Sequence, residues 1–459
     1  MKALLTTFCL CLTVYAQAQL LAGGDGHSLM LCDNGEVRAF GAGGWGQLGD
    51  GNSSNQSTPV LTLGLPPVVQ IACGGNHSLA LTENGDVYAW GANDIGQAGT
   101  GAPDPFYLLP VLLETIDNVI QIEAGLYMSV ALKSDGTVWA WGRNDSGNLG
   151  NASYENSSVP VQVQGLNNVV QIGAGPWHVF ALTSSGELYG WGQNNFAVLG
   201  LGSNFPPTYN TPQLVNIADV MKIDAGYNHS IALKEDGTVW TWGDDTFGQL
   251  GQGGPGFANA PIIVPGLENI VDISSGNSHM QVLDDQGIVY VWGYNDYGQV
   301  GNGNNTFSNT PSTPLGLGNV VLIASGTWHS LCITDTGDLI GYGRNDGGQL
   351  ATGNTENSNV PVVGNNDCET IDVNDSGIED LMSLYPNPSE SIIYLEFPAE
   401  INANAAYSIY SGSGQLVKSA KLENSGKTIE INLNSLPSGI YLVQMLVDGS
   451  SFTRSFIKQ

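Results

Sequence analysis

Residues 225–253 read AGYNHSIALKEDGTVWTWGDDTFGQLGQG, and after a variable stretch residues 261–274 read PIIVPGLENIVDIS. From His229 to Leu233 small and apolar residues alternate, Glu235-Asp236-Gly237 makes a tight turn, and Thr238 to Trp242 alternate again, which describes a hairpin. A third strand is expected near Ile262 to Val264 and a fourth from Ile270 to Ile273. Four strand-sized segments in a period of about 50 residues make one blade of a propeller, which cannot bury its two faces alone.

The pattern recurs along the chain. His27, His77, His178, His229, His279 and His329 hold one phase of the repeat, and Met128 fills the gap after His77, so seven units run from about residue 23 to 370. Turns like that of Glu235-Asp236-Gly237 recur at Asp33-Asn34-Gly35, Ser134-Asp135-Gly136 and Asp284 to Gly287. Thirteen residues after each phase position stands an aromatic residue followed by glycine: Phe40-Gly41, Trp90-Gly91, Trp141-Gly142, Trp191-Gly192, Trp242-Gly243, Trp292-Gly293 and Tyr342-Gly343. A large ring there wedges neighbouring blades together, and glycine behind it permits a turn that a Cβ would block. A structural role is therefore expected for these rings. The expected fold is an all-β, seven-bladed propeller with four-stranded blades.

Closure of the ring has its own expectation. The seventh unit stops at Val360-Pro361-Val362-Val363 without the last strand that other units carry as Val169-Val170-Gln171-Ile172. Gln19-Leu20-Leu21-Ala22 has the phase of that missing segment, so the N-terminus is expected to complete the last blade and remove the open edges.

With 62 glycines and 42% hydrophobic residues, the 459-residue chain suits a turn-rich globular protein and not a disordered one. Twelve Lys plus Arg stand against 42 Asp plus Glu, a net charge of -30, so nucleic acid is excluded as a partner because its backbone would be repelled. Residues 1–18 read as a secretory signal: Lys2, an apolar run from Ala3 to Val14, then Ala16-Gln17-Ala18. Cys9 and Cys11 would leave with it. Cys32, Cys73, Cys332 and Cys368 then enter an oxidising compartment, with three pairings open. No other segment is long and apolar enough to span a bilayer as a helix.

These units resemble the repeats of the regulator of chromosome condensation, whose pattern runs G-x-x-H-S/T-x-A-L and then D-G-x-V, W-G-x-N and G-Q-L-G. Gln47-Leu48-Gly49, Gln249-Leu250-Gly251 and the Trp-Gly series carry the likeness, with departures at Met128 and at Ala197-Val198-Leu199. The nuclear founder of that family is an exchange factor for a small GTPase that also binds chromatin, using a wedge and basic contacts that this acidic chain does not offer. The plant ultraviolet-B receptor of the family uses Gly-Trp-Arg-His-Thr. Here Gly175-Pro176-Trp177-His178 and Gly326-Thr327-Trp328-His329 come nearest, and no Arg accompanies either Trp in sequence. A secreted bacterial inhibitor of β-lactamase is similar in architecture and compartment, and it binds a protein.

The tail lacks the period. After an acidic linker at 369–381, residues 382–459 carry Tyr385-Pro386-Asn387-Pro388-Ser389, then Leu436-Pro437-Ser438-Gly439-Ile440-Tyr441 and a final Phe456-Ile457-Lys458-Gln459. This resembles the type A C-terminal sorting domain of the type IX secretion system of Bacteroidota. The resemblance implies a small β-sandwich that the secretion machinery reads through Pro386, Asn387, Pro388, Gly439, Tyr441 and Lys458. It also implies passage through the periplasm to a secreted or outer-surface location. The expected layout is signal peptide 1–18, propeller 19–368, linker 369–381 and sorting domain 382–459.

Several patterns in the chain bear on catalytic chemistry. Equivalent histidines of a seven-fold ring stand roughly 6 Å or more apart, too far for one ion held at about 2 Å by each imidazole, so they are expected to hydrogen-bond backbone instead. No cofactor is expected, and neither a G-x-S-x-G nor an H-E-x-x-H occurs. Asp244-Asp245 and Asp284-Asp285 are adjacent acids expected in solvated turns; Asp372, Asn374 and Asp375 suggest a flexible acidic linker more than a calcium loop. Large residues break the repeat's own rule at Tyr127, Trp177, Tyr227 and Trp328 before the His phase, and at Trp45, Ile95, Phe196, Phe247 and Tyr297 five residues after the blade aromatic. Aromatics at such loop positions anchor interfaces. The expectation is a secreted, non-enzymatic module that binds a protein or glycan through these rings. Two other readings remain: an enzyme acting on carbohydrate or peptide in the central depression, and nucleotide exchange by analogy with the family.

Overall fold

A computed structural model describes residues 20–254 and 256–368 and, in the tail, 383–385, 391–396, 405–411, 416–422, 427–434, 436, 439–447 and 450–458. The signal peptide, the linker and Pro386, Asn387 and Pro388 lie outside these residues. The chain divides after Cys368 into two compact units.

Seven antiparallel sheets of four strands form the first unit, spanning residues 21–61, 68–112, 119–162, 169–215, 220–263, 270–312 and 320–363. These are blades 1 to 7. Within each, the strands follow one another in chain order from the axis outward. The His-phase residue opens the second strand, as in His229–Lys234, and pairs across to the glycine after the blade aromatic, His229 with Gly243. That glycine lies at φ +107°, and a Cβ on it would come within 2.5 Å of the Asn228 carbonyl oxygen. Only glycine fits both the dihedral and the space.

The closure differs from the one expected. The segment read as the last strand of each unit pairs with the following histidine strand, so it is the innermost strand of the next blade: Ile270–Ser275 pairs with His279–Asp284. Leu21–Gly23 accordingly pairs with His27–Leu31 and opens blade 1, while blade 7 is complete from its own residues 320–363. No strand is shared across the join. What crosses it instead is a disulfide, Cys32–Cys368, which settles the pairing and leaves Cys73 and Cys332 as thiols.

Neighbouring blades are held by a repeated polar seam beside the apolar core. His27 Nε2 meets Ser78 Oγ at 3.0 Å, His77 meets Ser129 at 2.9 Å, His178 meets Ser230 at 2.9 Å, His279 meets Ser330 at 3.1 Å, and His329 closes the ring on Ser28 at 2.8 Å. The partner is thus a hydroxyl of the next blade and not the backbone. Each of these serines donates its own proton to a main-chain carbonyl, Ser78 to Gln47 and Ser230 to Val198 for example, so the imidazole Nε2–H is the donor to the serine. The blade tryptophans share those acceptors: Trp90 Nε1 donates to Gln47 O at 2.8 Å, and Trp141, Trp191, Trp242 and Trp292 bond the equivalent carbonyls. All five rings are fully buried, as are Phe40 and Tyr342. Burial of each contributes about 3 kcal/mol.

The outer strands manage their open edges. Each carries one proline, Pro59, Pro110, Pro160, Pro212, Pro261, Pro311 and Pro361, which removes a backbone donor and blunts pairing with another chain.

In the tail unit, a three-stranded sheet (Ser383–Tyr385, Ile392–Glu396, Thr428–Asn432) and a four-stranded sheet (Leu416–Leu422, Ala405–Ser411, Gly439–Val447, Ser450–Lys458) share one core that includes Ile393, Ile409, Ile431 and Val443. Tyr441 is buried in that core, and Gly439 and Lys458 pair across the last two strands.

Candidate functional site

One face of the propeller gathers the loops before the histidine strands and the loops after the blade aromatics. At its centre the axial channel opens into a depression of about 290 Å³, lined by small residues and by Asp25, Tyr127, Tyr227, Asn277, Thr327 and Trp328. A belt of backbone hydrogen bonds surrounds this mouth and joins most blades: Asp25 N to Gly75 O, Gly75 N to Leu126 O, Tyr227 N to Asn277 O, Asn277 N to Thr327 O, and Thr327 N to Gly24 O. Blade 4 has Pro176 at that position and no N–H to give.

The sequence-derived aromatics fall into separate groups. Tyr127, Trp177 and Tyr227 pack in a row across blades 3, 4 and 5, with centroids 5.9 and 6.1 Å apart. The Arg143 guanidinium lies 4.6 Å from the Trp177 ring and 5.4 Å from Tyr127, and is itself paired with Asp145 at 2.6 Å. An arginine therefore does accompany this tryptophan, brought from the preceding blade. The row sits where the backbone belt is interrupted and where Met128 and Val179 supply no histidine–serine bond, and its rings bridge blades 3, 4 and 5.

The second group lies over blades 5 to 7. Tyr294 is its hub: Phe247 is 5.0 Å away, Trp328 5.2 Å, and Phe307 stacks on it at 5.2 Å with 28° between planes. Tyr297 packs on Trp328 at 5.8 Å, and Arg344 lies 5.7 Å over Tyr297 while pairing with Asp346 at 2.7 Å. Burial, and then the hydrogen bond to Asp296, push the Tyr294 hydroxyl up to about 12. The seams beneath are complete, with His279 on Ser330 and both backbone belt bonds made.

Trp45 meets Phe106 edge-on at 6.5 Å elsewhere on the ring, and Phe196 is exposed at φ +59°. Tyr294, Phe307, Phe106, Arg143 and Arg344 were not singled out in the sequence. For Arg143, Tyr294 and Arg344 the signal was present: the residue after each aromatic-glycine pair varies through Ala42, Ala92, Arg143, Gln193, Asp244, Tyr294 and Arg344.

The other end of the channel is a chamber of about 510 Å³ between the inner strands. Gln70 and Gln121 each bracket the backbone of the next inner strand, at Ile122 and Ile172. Glu123 and Asp224 face this lumen, and Lys222 pairs with Asp272. Burial, with Asp224 nearby, holds Glu123 protonated up to about 8; burial raises Asp224 to about 6 despite the bonds it accepts from Ala225 N and Ser275 N. Among the described residues no cluster of three His, Cys, Asp or Glu side chains could hold a metal ion. Asp244, Asp245 and Asp284 are buried, not solvated as expected: each organises a turn, Asp245 accepting Leu250 N at 2.8 Å.

Residues 13–253 and 103–377 match the RCC1-like domain. The chain belongs to the RCC1-like domain family. Its tail, residues 383–459, matches the secretion system C-terminal sorting domain, and the protein is exported by type IX secretion to the cell surface or outside. Among relatives of this RCC1-like protein, the human X-linked retinitis pigmentosa GTPase regulator is 36% identical over 239 residues, 51% of this chain and 23% of that protein. The human E3 ubiquitin-protein ligase HERC2 is 30% identical over 253 residues, 54% of this chain and 4% of that protein. The chain thus spans less than a quarter of either relative. Yeast RCC1 (Prp20), solved bound to Kap60, superposes with a TM-score of 0.67 at 25% identity, covering 73% of this chain and 84% of that one. Human WBSCR16 gives 0.63 at 26% identity over 68% of this chain and 85% of its own. Among the described residues no helix is long and apolar enough to cross a membrane.

Proposed function

We propose that this exported RCC1-like propeller is a binding module that holds a macromolecular partner on the loop face, with the patch centred on Tyr294 as its main contact. The observation that carries this is the five-ring cluster of Phe247, Tyr294, Tyr297, Phe307 and Trp328 lying over blade seams whose histidine–serine and backbone bonds are complete. Aromatic residues at the centre of a loop face are the side chains that dominate interface energetics. Trp177 and its neighbours, by contrast, serve the blade 4 seams, and Trp45 and Phe196 stand apart. Yeast RCC1, which shares this propeller fold, was solved bound to another protein, Kap60.

The test is capture on the immobilised full chain from envelope and culture-medium fractions of the producing cells. A defined species retained by the native protein and by Trp45→Ala, but lost by Tyr294→Ala/Trp328→Ala with unchanged melting, supports the reading. Equal retention by all three, or none, counts against it.

A second reading rests on the chamber. Glu123, held protonated near neutrality, and Asp224 across Gly173 have the composition of an acid–base pair for hydrolysis of carbohydrate or peptide. Turnover on a glycan and peptide panel that disappears in Glu123→Gln would favour it over a pure binding role.

A further inference from the structure

The chemistry around the Tyr294 patch selects one kind of partner. Residues 20–368 carry 31 Asp plus Glu and only six Lys plus Arg. All six cations are spent in ion pairs within the propeller, Arg344 with Asp346 among them. At the patch the Tyr294 hydroxyl donates to Asp296, and Asn305 Nδ2 donates to the Asp296 carbonyl. Asp296 remains exposed beside the rings, and Asp346, also exposed, is paired with Arg344. What the patch offers an incoming chain is chiefly π faces and the Asp296 carboxylate.

Both attract the same group. A guanidinium or ammonium over an aromatic face is held by the ring quadrupole, and a nearby carboxylate adds to it. The propeller shows that its rings accept such a group, since Arg143 lies over Trp177 and Arg344 over Tyr297 on this very face. An acidic partner would meet repulsion from a propeller with 31 Asp plus Glu against six Lys plus Arg.

We infer that the Tyr294 patch receives a cationic peptide segment, whose lysine or arginine side chains lie on Phe247, Tyr294 and Trp328 with Asp296 at their heads. This rests on the binding-module reading above and gives it a partner class.

The test uses the full chain and fluorescein-labelled decapeptides of alternating glycine and arginine, glycine and citrulline, or glycine and glutamate, followed by anisotropy. The arginine peptide is expected to bind, and Trp328→Ala or Tyr294→Ala to weaken it about tenfold each. Asp296→Asn is expected to weaken it several-fold, and Trp45→Ala to leave it unchanged. A thermal melt of each variant checks folding, and Phe247→Leu, which keeps an apolar side chain without the ring face, repeats the test with little packing loss. Absence of arginine-peptide binding overturns the inference, as does binding that Trp328→Ala leaves intact, which would be diffuse attraction to an acidic surface. Trp328-dependent binding of a neutral oligosaccharide in place of the peptide would overturn the cationic partner while sustaining the binding module. Failure of both probes together with an empty capture would remove the module itself.

Discussion

Met128 stands where six sister blades place a histidine, and Val179, in the same buried cluster, stands where the next blade would supply that histidine's hydroxyl partner. The two departures are one exchange. A histidine at 128 would bury an Nε2–H against Val179 with no acceptor, at a cost of about 1–3 kcal/mol. His229 shows the alternative remedy: the residue after His279 is Met280, and His229 turns instead to Ser275 at 2.9 Å.

A double-mutant cycle reads this coupling. Met128→His alone is expected to lower stability by about 2 kcal/mol, Val179→Ser alone by about 1–2, and the pair by clearly less than the sum. Urea unfolding of the four proteins gives the interaction free energy, and strict additivity would show that the two sites do not form one seam.

That coupling explains what the sequence conveyed and what it withheld. The phase of His229 and the ring of Trp242 are set by local alternation and by a glycine that only one backbone shape admits, so the blades were legible from single units. The exchange at Met128 and Val179, and the guanidinium of Arg143 on Trp177, join residues of different blades. Their meaning depends on which blade lies next to which. The same reason misled the reading of closure: Gln19 to Ala22 has the right phase for an inner strand, but phase alone does not say whether that strand is the last of one blade or the first of the next. The different settings of Trp328 and Trp177, one over complete seams and one beside the Pro176 gap in the backbone belt, emerge only when the belt is seen whole.

Asp245 occupies the place of Asn93, Asn144, Asn194, Asn295 and Asn345, whose Nδ2 groups donate to carbonyls of their own loops while Oδ1 caps the turn. An ionised carboxylate can cap but cannot donate. Burial raises Asp245 to about 6, so the folded state favours the protonated form, and stability is lost as pH rises from about 4 through 6. Asp245→Asn is therefore expected to stabilise the protein at pH 7 by about 1 kcal/mol and to have little effect at pH 4.5. Melting curves at both pH values check it; equal effects at the two would leave the buried charge without consequence.

The buried histidines set the acid limb of stability. Burial lowers His27, His178, His229 and His329 to about 3, and His77 and His279 to about 4. The unfolded chain binds more protons than the folded one below about 6.5, so stability falls as pH drops from there, by up to about 1.4 kcal/mol per site per unit. Glu123 acts in the opposite sense: raised from 4.5 to about 8, it favours the folded state increasingly as pH falls from 8 to about 4.5. Urea midpoints are expected to peak near pH 7, and Glu123→Gln to flatten the limb above the peak and steepen the limb below it. A midpoint that stays constant from pH 6.5 to 4 would contradict buried, neutral imidazoles.

Closure by Cys32–Cys368 makes a prediction that a shared strand would not. The bond spans 336 residues and ties the end of a strand in blade 1 to the segment leaving blade 7. Cross-linking so long a loop restricts the unfolded chain and contributes about 3–5 kcal/mol in the chain-entropy account. Reductant, or Cys368→Ser, is expected to lower the melting temperature of the full chain, whereas Cys73→Ser leaves its sensitivity to reductant unchanged. His329 on Ser28 is the side-chain bond of this seam, 2.8 Å long and wholly buried, beside the backbone bond from Thr327 N to Gly24 O. Ser28→Ala in the Cys368→Ser background is therefore expected to cost more than Ser78→Ala in that background, because the first weakens the only seam whose blades are not consecutive in the chain. If the two serine variants are equally damaging, the join between blades 1 and 7 is no weaker than any other seam, and the disulfide is not what keeps the ring shut.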